Sequence, residues 1–179
     1  MEHTIILNFW FEEINPSYWF KKDEQFDALI RQKFSATHQA AAQGELFAWR
    51  KSIEGRLAEI IVLDQFSRNM FRDDPRAFAY DAMALVLAQE AVATGECTNL
   101  PPARRAFAYM PYMHSESLPI HQEAMKLFAQ PGLENNLQFE LRHQEIITRF
   151  GRYPHRNAIL GRTSTPQELA FLEEPGSSF

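Results

Sequence analysis

Nowhere does this sequence alternate apolar and polar residues over the roughly four to eight positions that a half-buried β-strand needs, and its punctuating residues mark helices instead. From Asp23 to Ala42 the apolar residues Phe26, Leu29, Ile30, Phe34 and Ala41 recur at spacings of three, four and seven, with Asp23 placed as N-cap and Gly44 as stop. A second helix is expected from about Arg56 to Arg68. Its Leu57, Ile60, Ile61, Val62, Leu63 and Phe66 make it apolar nearly all round, so it should be central. Asp74 and Pro75 open a third, and Gly95 closes it after twenty residues. Seven of those residues are alanine, which lets neighbouring helices approach closely.

Further helices are read around 102–110, over 118–129 with Ser117 as cap, and over 134–150 with Gly151 as stop. A last one is opened by Thr165-Pro166-Gln167-Glu168, a capping box with proline at the first helical position. Short connections make such helices antiparallel neighbours. The expectation is an all-α fold of stacked antiparallel helices, one domain over residues 1–179, without a strict internal repeat.

A chain of 179 residues buries roughly 68–70% of its unfolded surface and folds without disulfides or a structural metal. The single cysteine, Cys97, excludes an internal disulfide framework and suits a reducing compartment. No apolar run reaches membrane-spanning length, and Met1-Glu2-His3 lacks the basic residues of a signal peptide, so a cytoplasmic protein is expected. A net charge of -5 argues against a general nucleic-acid binder.

Three polar clusters interrupt the apolar pattern. The first, Asp64-Gln65-Phe66-Ser67-Arg68-Asn69, sets a carboxylate on the helix expected to be most buried, where it requires a cationic or donor partner. Arg68 at i+4, or an arginine from another helix, would make a structural clasp. A cleft would instead make Asp64 a general base or a substrate-binding carboxylate. The second cluster holds Arg104-Arg105 and the segment Met110 to Glu116, read as a packed loop. His114 and Glu116, with His121, His143 and His155, are suitable metal ligands by type, but no spacing matches a metal signature, and no metal or cofactor is assigned. His143, on the stripe Phe139, Ile146, Ile147 and Phe150, reads as a hydrogen-bonded core residue.

The third cluster runs from Arg149 to Asn157. Between 142 and 162 there are five arginines, no lysine and one acid, Glu145. Arginine used to the exclusion of lysine points to bidentate contacts with carboxylate or phosphate. Pro154 could start a short helix whose N-terminus also attracts an anion. Internal pairing with Asp64, Asp81, Glu116 or Glu145 is the structural alternative. Phosphate-loop, nucleophile-elbow, paired-CxxC and dinucleotide motifs are all missing. The aromatic runs Phe9-Trp10-Phe11 and Tyr18-Trp19-Phe20 are expected to pack the N-terminal segment onto the helical body.

Six segments in order resemble a known family: Ile6 to Phe11, Trp19-Phe20, Leu63 to Asn69, Met113-His114-Ser115-Glu116, Arg149 to Asn157, and Leu160 to Thr165. Over essentially the whole chain they are similar to the bacterial proteins called domain of unknown function 924, with Ser67 in place of a frequent proline and Tyr153 in place of a phenylalanine. The resemblance implies an all-helical fold similar to tetratricopeptide-repeat proteins and implies no activity.

Two functions are therefore expected from the site. In one, a concave cleft binds an anionic small molecule, as an enzyme or as a plain binder: Arg149, Arg152 and Arg156 clamp the anion, Asn157, Arg68, His114 and Glu116 complete the ligand set, and Asp64 and His155 are base and acid. Hydrolysis is the least demanding reaction for a chain without a cofactor motif. In the other, a helical adaptor holds an acidic peptide or C-terminal carboxylate in an open groove with the same arginines and no base.

Overall fold

The computed structural model describes residues 1–179 and contains helices and turns with no β-strand. Helix α1 spans His3–Asn8 and continues as a π-helical turn over Phe9–Glu13; α2 spans Glu24–Ala42. The central α3 runs over Ile53–Ile61, widens into a π-helical turn at Val62–Phe66 and ends in Ser67–Met70. Then follow α4 (Asp81–Ala93), α5 (Pro102–Met113), α6 (Leu118–Phe128), α7 (Glu134–Phe150) and α8 (Pro166–Leu172). No helix is long and apolar enough to cross a membrane.

Local signals explain several boundaries, although Ser117 takes the N-cap position of α6 without a side-chain cap hydrogen bond. Asp23 Oδ1 accepts from the backbone N–H of Gln25 and Phe26 at 3.1 Å, and Thr165 with Glu168 forms the full capping box. Gly151 ends α7 in the left-handed conformation at φ +68°, which a side chain would oppose.

Three expectations need correction. The central helix starts at Ile53, because Ser52 Oγ accepts from the Gly55 N–H and caps it three residues before Arg56. The twenty-residue helix after Asp74 is broken: Pro75–Ala77 is a 3-10 turn, and α-helix begins only at Asp81. That break brings Asp81, at the head of α4, to the guanidinium of Arg68 on α3. Finally, α5 runs past Pro111 to Met113, so Met110 to Met113 is helix and His114 is its C-cap.

Helix α3 packs against α1, α2, α4 and α5, while α4 to α7 stack on one another in sequence as antiparallel neighbours. Leu57, Ile60, Ile61, Val62, Leu63 and Phe66 of α3 are fully buried in a core that reaches from Ile6 to Leu133. The aromatic N-terminal segment joins it: Phe9 lies edge-on to Phe34 with ring centroids 4.8 Å apart, and Trp10 edge-on to Phe107 at 5.6 Å. A smaller apolar cluster of Ile146, Ile147, Tyr153 and Phe171 holds the end of α7 to α8. Charged residues from the three sequence clusters, among them Asp64, Arg68, His114, Glu116 and Arg156, are linked with Asp81 and Arg162 by hydrogen bonds.

Candidate functional site

Asp64 sits in the π-helical turn of α3, every residue of which is buried. Such widened turns are frequent at functional positions. Here Ser67 Oγ donates to the Leu63 carbonyl at 2.6 Å, and Arg68 Nη1 donates to that of Asp64 at 3.0 Å, adding side-chain donors to the turn. The Asp64 side chain is 1% exposed. Its carboxylate accepts from Gln65 Nε2 at 2.6 Å and from His114 Nδ1 at 2.7 Å, with Arg68 Nη1 at 3.1 Å. Burial by itself would raise its pKa, but His114, Arg68 and the Gln65 amide outweigh burial and hold the carboxyl below the usual carboxylate range.

His114 is thereby oriented. Facing an ionised carboxylate, Nδ1 carries the proton, which leaves the lone pair on Nε2. Burial, and then the Arg68 guanidinium, hold the imidazole pKa below the usual histidine value against the pull of Asp64. The ring is therefore neutral at pH 7. Nε2 has no partner within the protein, and the side chain is 16% exposed, so this nitrogen meets solvent.

His114 lines a cavity of about 370 Å³, with Ser115, Glu116, Arg156 and Asp81 as its other polar residues. Phe78, Ala79, Ala82, Leu85 and Leu160 are among the residues of its apolar wall. Ser115 is fixed from behind by His121, whose Nε2 lies 2.8 Å from the Ser115 carbonyl and whose Nδ1 lies 2.6 Å from Glu140 Oε1. Both His121 and Glu140 are fully buried.

The arginines do not form the expected clamp. Arg149 stands exposed at the end of α7, over the rings of Phe150 and Phe171. Arg152 grips Glu168 of α8 through two hydrogen bonds of 2.6 and 2.8 Å and donates to the Thr163 carbonyl, so it ties down the C-terminal helix. Arg156 alone reaches the cavity. Its Nη2 donates to the His114 carbonyl at 2.9 Å, and Nη1 lies 3.3 Å from Asp81 Oδ2. Asp81 is already held by Arg68 at 2.9 and 3.0 Å. Pro154 opens only the three-residue 3-10 turn Pro154–Arg156, too short to carry a helix-end anion site.

Glu116 is committed as well, accepting from Arg162 at 2.7 and 2.9 Å and from the Tyr153 N–H at 2.8 Å. Asn157 braces the same loop between Arg162 and Ser164. Arg152 and Asn157 are thus engaged within the protein and Arg149 faces solvent, and none of the three lines the cavity.

The expected pairing of Asp64 as base with His155 as acid is also corrected. Asp64 cannot meet a substrate directly, since its oxygens are enclosed and taken, and the histidine it contacts is His114. His155 packs against Tyr153 and Phe179, its Nδ1 buried without a partner and its pKa pulled down to about 4 by burial. His143 is a core residue as expected, with Nδ1 at 2.7 Å from the Phe139 carbonyl.

Another serine–histidine contact lies between His38 Nε2 and Ser67 Oγ, at 2.7 Å. Its polarity is wrong for a nucleophile, because the Ser67 hydroxyl spends its proton on Leu63 and must accept from His38. No three His, Cys, Asp or Glu side chains converge with the geometry of a metal site. Asp81 and Arg162 also belong to the site: the sequence alone sets Asp81 within a continuous helix, so only the break before it reveals its place, whereas Arg162 is visible as the last of the five arginines.

Comparison with known proteins agrees with this architecture. A solved structure of a protein of unknown function from Agrobacterium tumefaciens, ATU0120, superposes with a TM-score of 0.87 at 37% identity, covering 96% of each chain. None of the curated proteins compared matches this chain. Residues 6–176 match the bacterial proteins of unknown function called domain of unknown function 924, and the chain belongs to that family.

Proposed function

We propose that the 370 Å³ cavity is the site of a small-molecule hydrolase in which His114 is the general base and Asp64 its positioning residue. The observation that carries this reading is that His114, oriented through Nδ1 by Asp64 and without a partner on Nε2, lines the cavity. Water bound there would lose a proton to Nε2 as its oxygen bonds to the carbonyl carbon of an ester or amide. The imidazolium so formed is stabilised by Asp64. The carbon–oxygen or carbon–nitrogen bond then breaks, and the leaving group takes the proton back from Nε2. Arg156, the one arginine at the cavity, supports recognition of an anionic group on the substrate.

An adaptor for acidic peptides has less support, because, of the three arginines it would use, Arg152 is paired with Glu168 and Arg156 is only 5% exposed, which leaves Arg149 alone on the surface. A cytoplasmic setting belongs to the same proposal.

The test is a panel of chromogenic carboxylic esters and amides, assayed with the parent and with His114→Gln. Turnover by the parent that falls by about a hundredfold or more in a folded His114→Gln protein is expected for loss of a general base. Equal rates in the two proteins, or a parent inert toward every member of the panel, would overturn the reading.

A further inference from the structure

The charges around the cavity are not equivalent once their partners are counted. Arg68 gives two hydrogen bonds to Asp81, Arg162 two to Glu116 and Arg152 two to Glu168, and in each case a carboxylate fills the planar fork of donors. Arg156 differs. Only two of its five N–H groups are engaged: one on a backbone carbonyl, the other 3.3 Å from an Asp81 oxygen that Arg68 also holds. Its Nε is buried and has no partner at all, although the residue is only 5% exposed and lines the cavity. That nitrogen has no accessible surface, so a ligand would meet the guanidinium through Nη1 and Nη2, each of which gives only one hydrogen bond within the protein. The guanidinium is also held in place, with Phe78 and Tyr153 rings 4.6 and 4.7 Å from it.

Apolar side chains line the same cavity beside these charges, Phe78 against Arg156 itself. Phe78 and Ala79 from the turn before α4, Ala82 and Leu85 from its first turns, and Leu160 present no polar side-chain group there. A volume near 370 Å³ lies at the small end of the range that holds small molecules.

We infer that the cavity takes a small amphipathic monoanion: a carboxylate seated on Arg156 and carrying an aliphatic or aromatic group that lies against Phe78, Leu85 and Leu160. This deepens the hydrolase reading and rests on it only for where the reacting bond would lie, beside His114. A second negative charge is disfavoured. Asp81 and Glu116 line the same cavity, and Arg68 and Arg162, the cations that could offset another charge, already hold them.

The experiment measures binding apart from turnover, by calorimetric titration of the parent with phenylacetate, acetate, phenylacetamide, succinate and inorganic phosphate. Phenylacetate should bind at least tenfold more tightly than each of the others. Arg156→Met should abolish that preference. Because Arg156 also joins the C-terminal segment to α4, Leu160→Glu serves as a second variant at a half-buried position, where a carboxylate in the apolar lining should weaken phenylacetate at least tenfold in a protein that melts like the parent. Phosphate or succinate binding as tightly as phenylacetate, phenylacetamide binding equally well, or an unchanged affinity in Leu160→Glu would each overturn the inference. Selective phenylacetate binding by a protein that hydrolyses nothing would refute the hydrolase and leave the monoanion site standing. Hydrolysis of neutral esters without any preference for a carboxylate would do the reverse.

Discussion

Asp64→Asn probes both the stability and the chemistry of the site with a change of one atom. The side chain is 1% exposed, accepts hydrogen bonds from Gln65 and His114, and pairs with Arg68 at 3.1 Å. Asparagine retains one acceptor oxygen for His114 and Arg68, and the Gln65 amide can turn to accept from the new NH2, so the loss is mainly one of charge. Removing one partner of a buried ion pair costs about 3–5 kcal/mol. Arg68 keeps both its hydrogen bonds to Asp81, which places the cost toward the lower end, about 3 kcal/mol. In a chain of this length each kcal/mol moves the melting temperature by roughly 2–4 °C, so a fall of about 6–12 °C is expected by calorimetry or circular dichroism. Nitrogen-15 spectra supply an independent readout. The parent should show His114 protonated on Nδ1 and bare on Nε2, whereas the neutral side-chain amide of the Asp64→Asn variant no longer enforces that tautomer. A variant that melts within 2 °C of the parent, with the His114 tautomer unchanged, would refute both the burial and the orientation arguments.

Two further outcomes follow from the C-terminal part of the molecule. The His143 and His155 pKa values are pulled down by burial, to about 3 and about 4, against about 6.5 when unfolded, so from pH 6.5 down to 4 the unfolded chain binds protons that the folded one refuses. Stability should fall with pH across that window by roughly 1.4 kcal/mol per pH unit for each histidine, and His143→Phe should remove about one proton's worth of the slope in denaturant titrations; a flat profile between pH 6 and 5 would contradict the burial. Arg152→Met should release α8 by removing two charge-assisted hydrogen bonds, lowering the melting temperature and raising amide exchange in Pro166–Leu172, while leaving phenylacetate affinity unchanged.

What the sequence by itself determined are the features whose causes lie within a few residues of each other. The cap at Asp23, the stop at Gly151 and the capping box at Thr165 are local hydrogen-bonding and dihedral preferences, and the spacing of apolar residues from Leu57 to Phe66 was enough to make that helix central. The need of Asp64 for a partner was legible for the same reason, because a carboxylate amid such residues is untenable alone. Even Arg68 as that partner follows from its i+4 position.

Which other groups meet Asp64 was decided by tertiary structure. His114 lies 50 positions along the chain, and Arg156 lies 75 from Asp81, so their contacts depend on how α3, α4 and α5 stack and on the break that starts α4 at Asp81. The run of arginines shows the limit most clearly. Composition established that they seek carboxylates, but an internal carboxylate and a ligand's satisfy a guanidinium by the same hydrogen bonds, so the residue types cannot separate clasp from site. Only the packed structure sends Arg152 to Glu168, Arg162 to Glu116 and Arg68 to Asp81, and sets Arg156, its fork incompletely filled, beside His114 in the lining of one cavity.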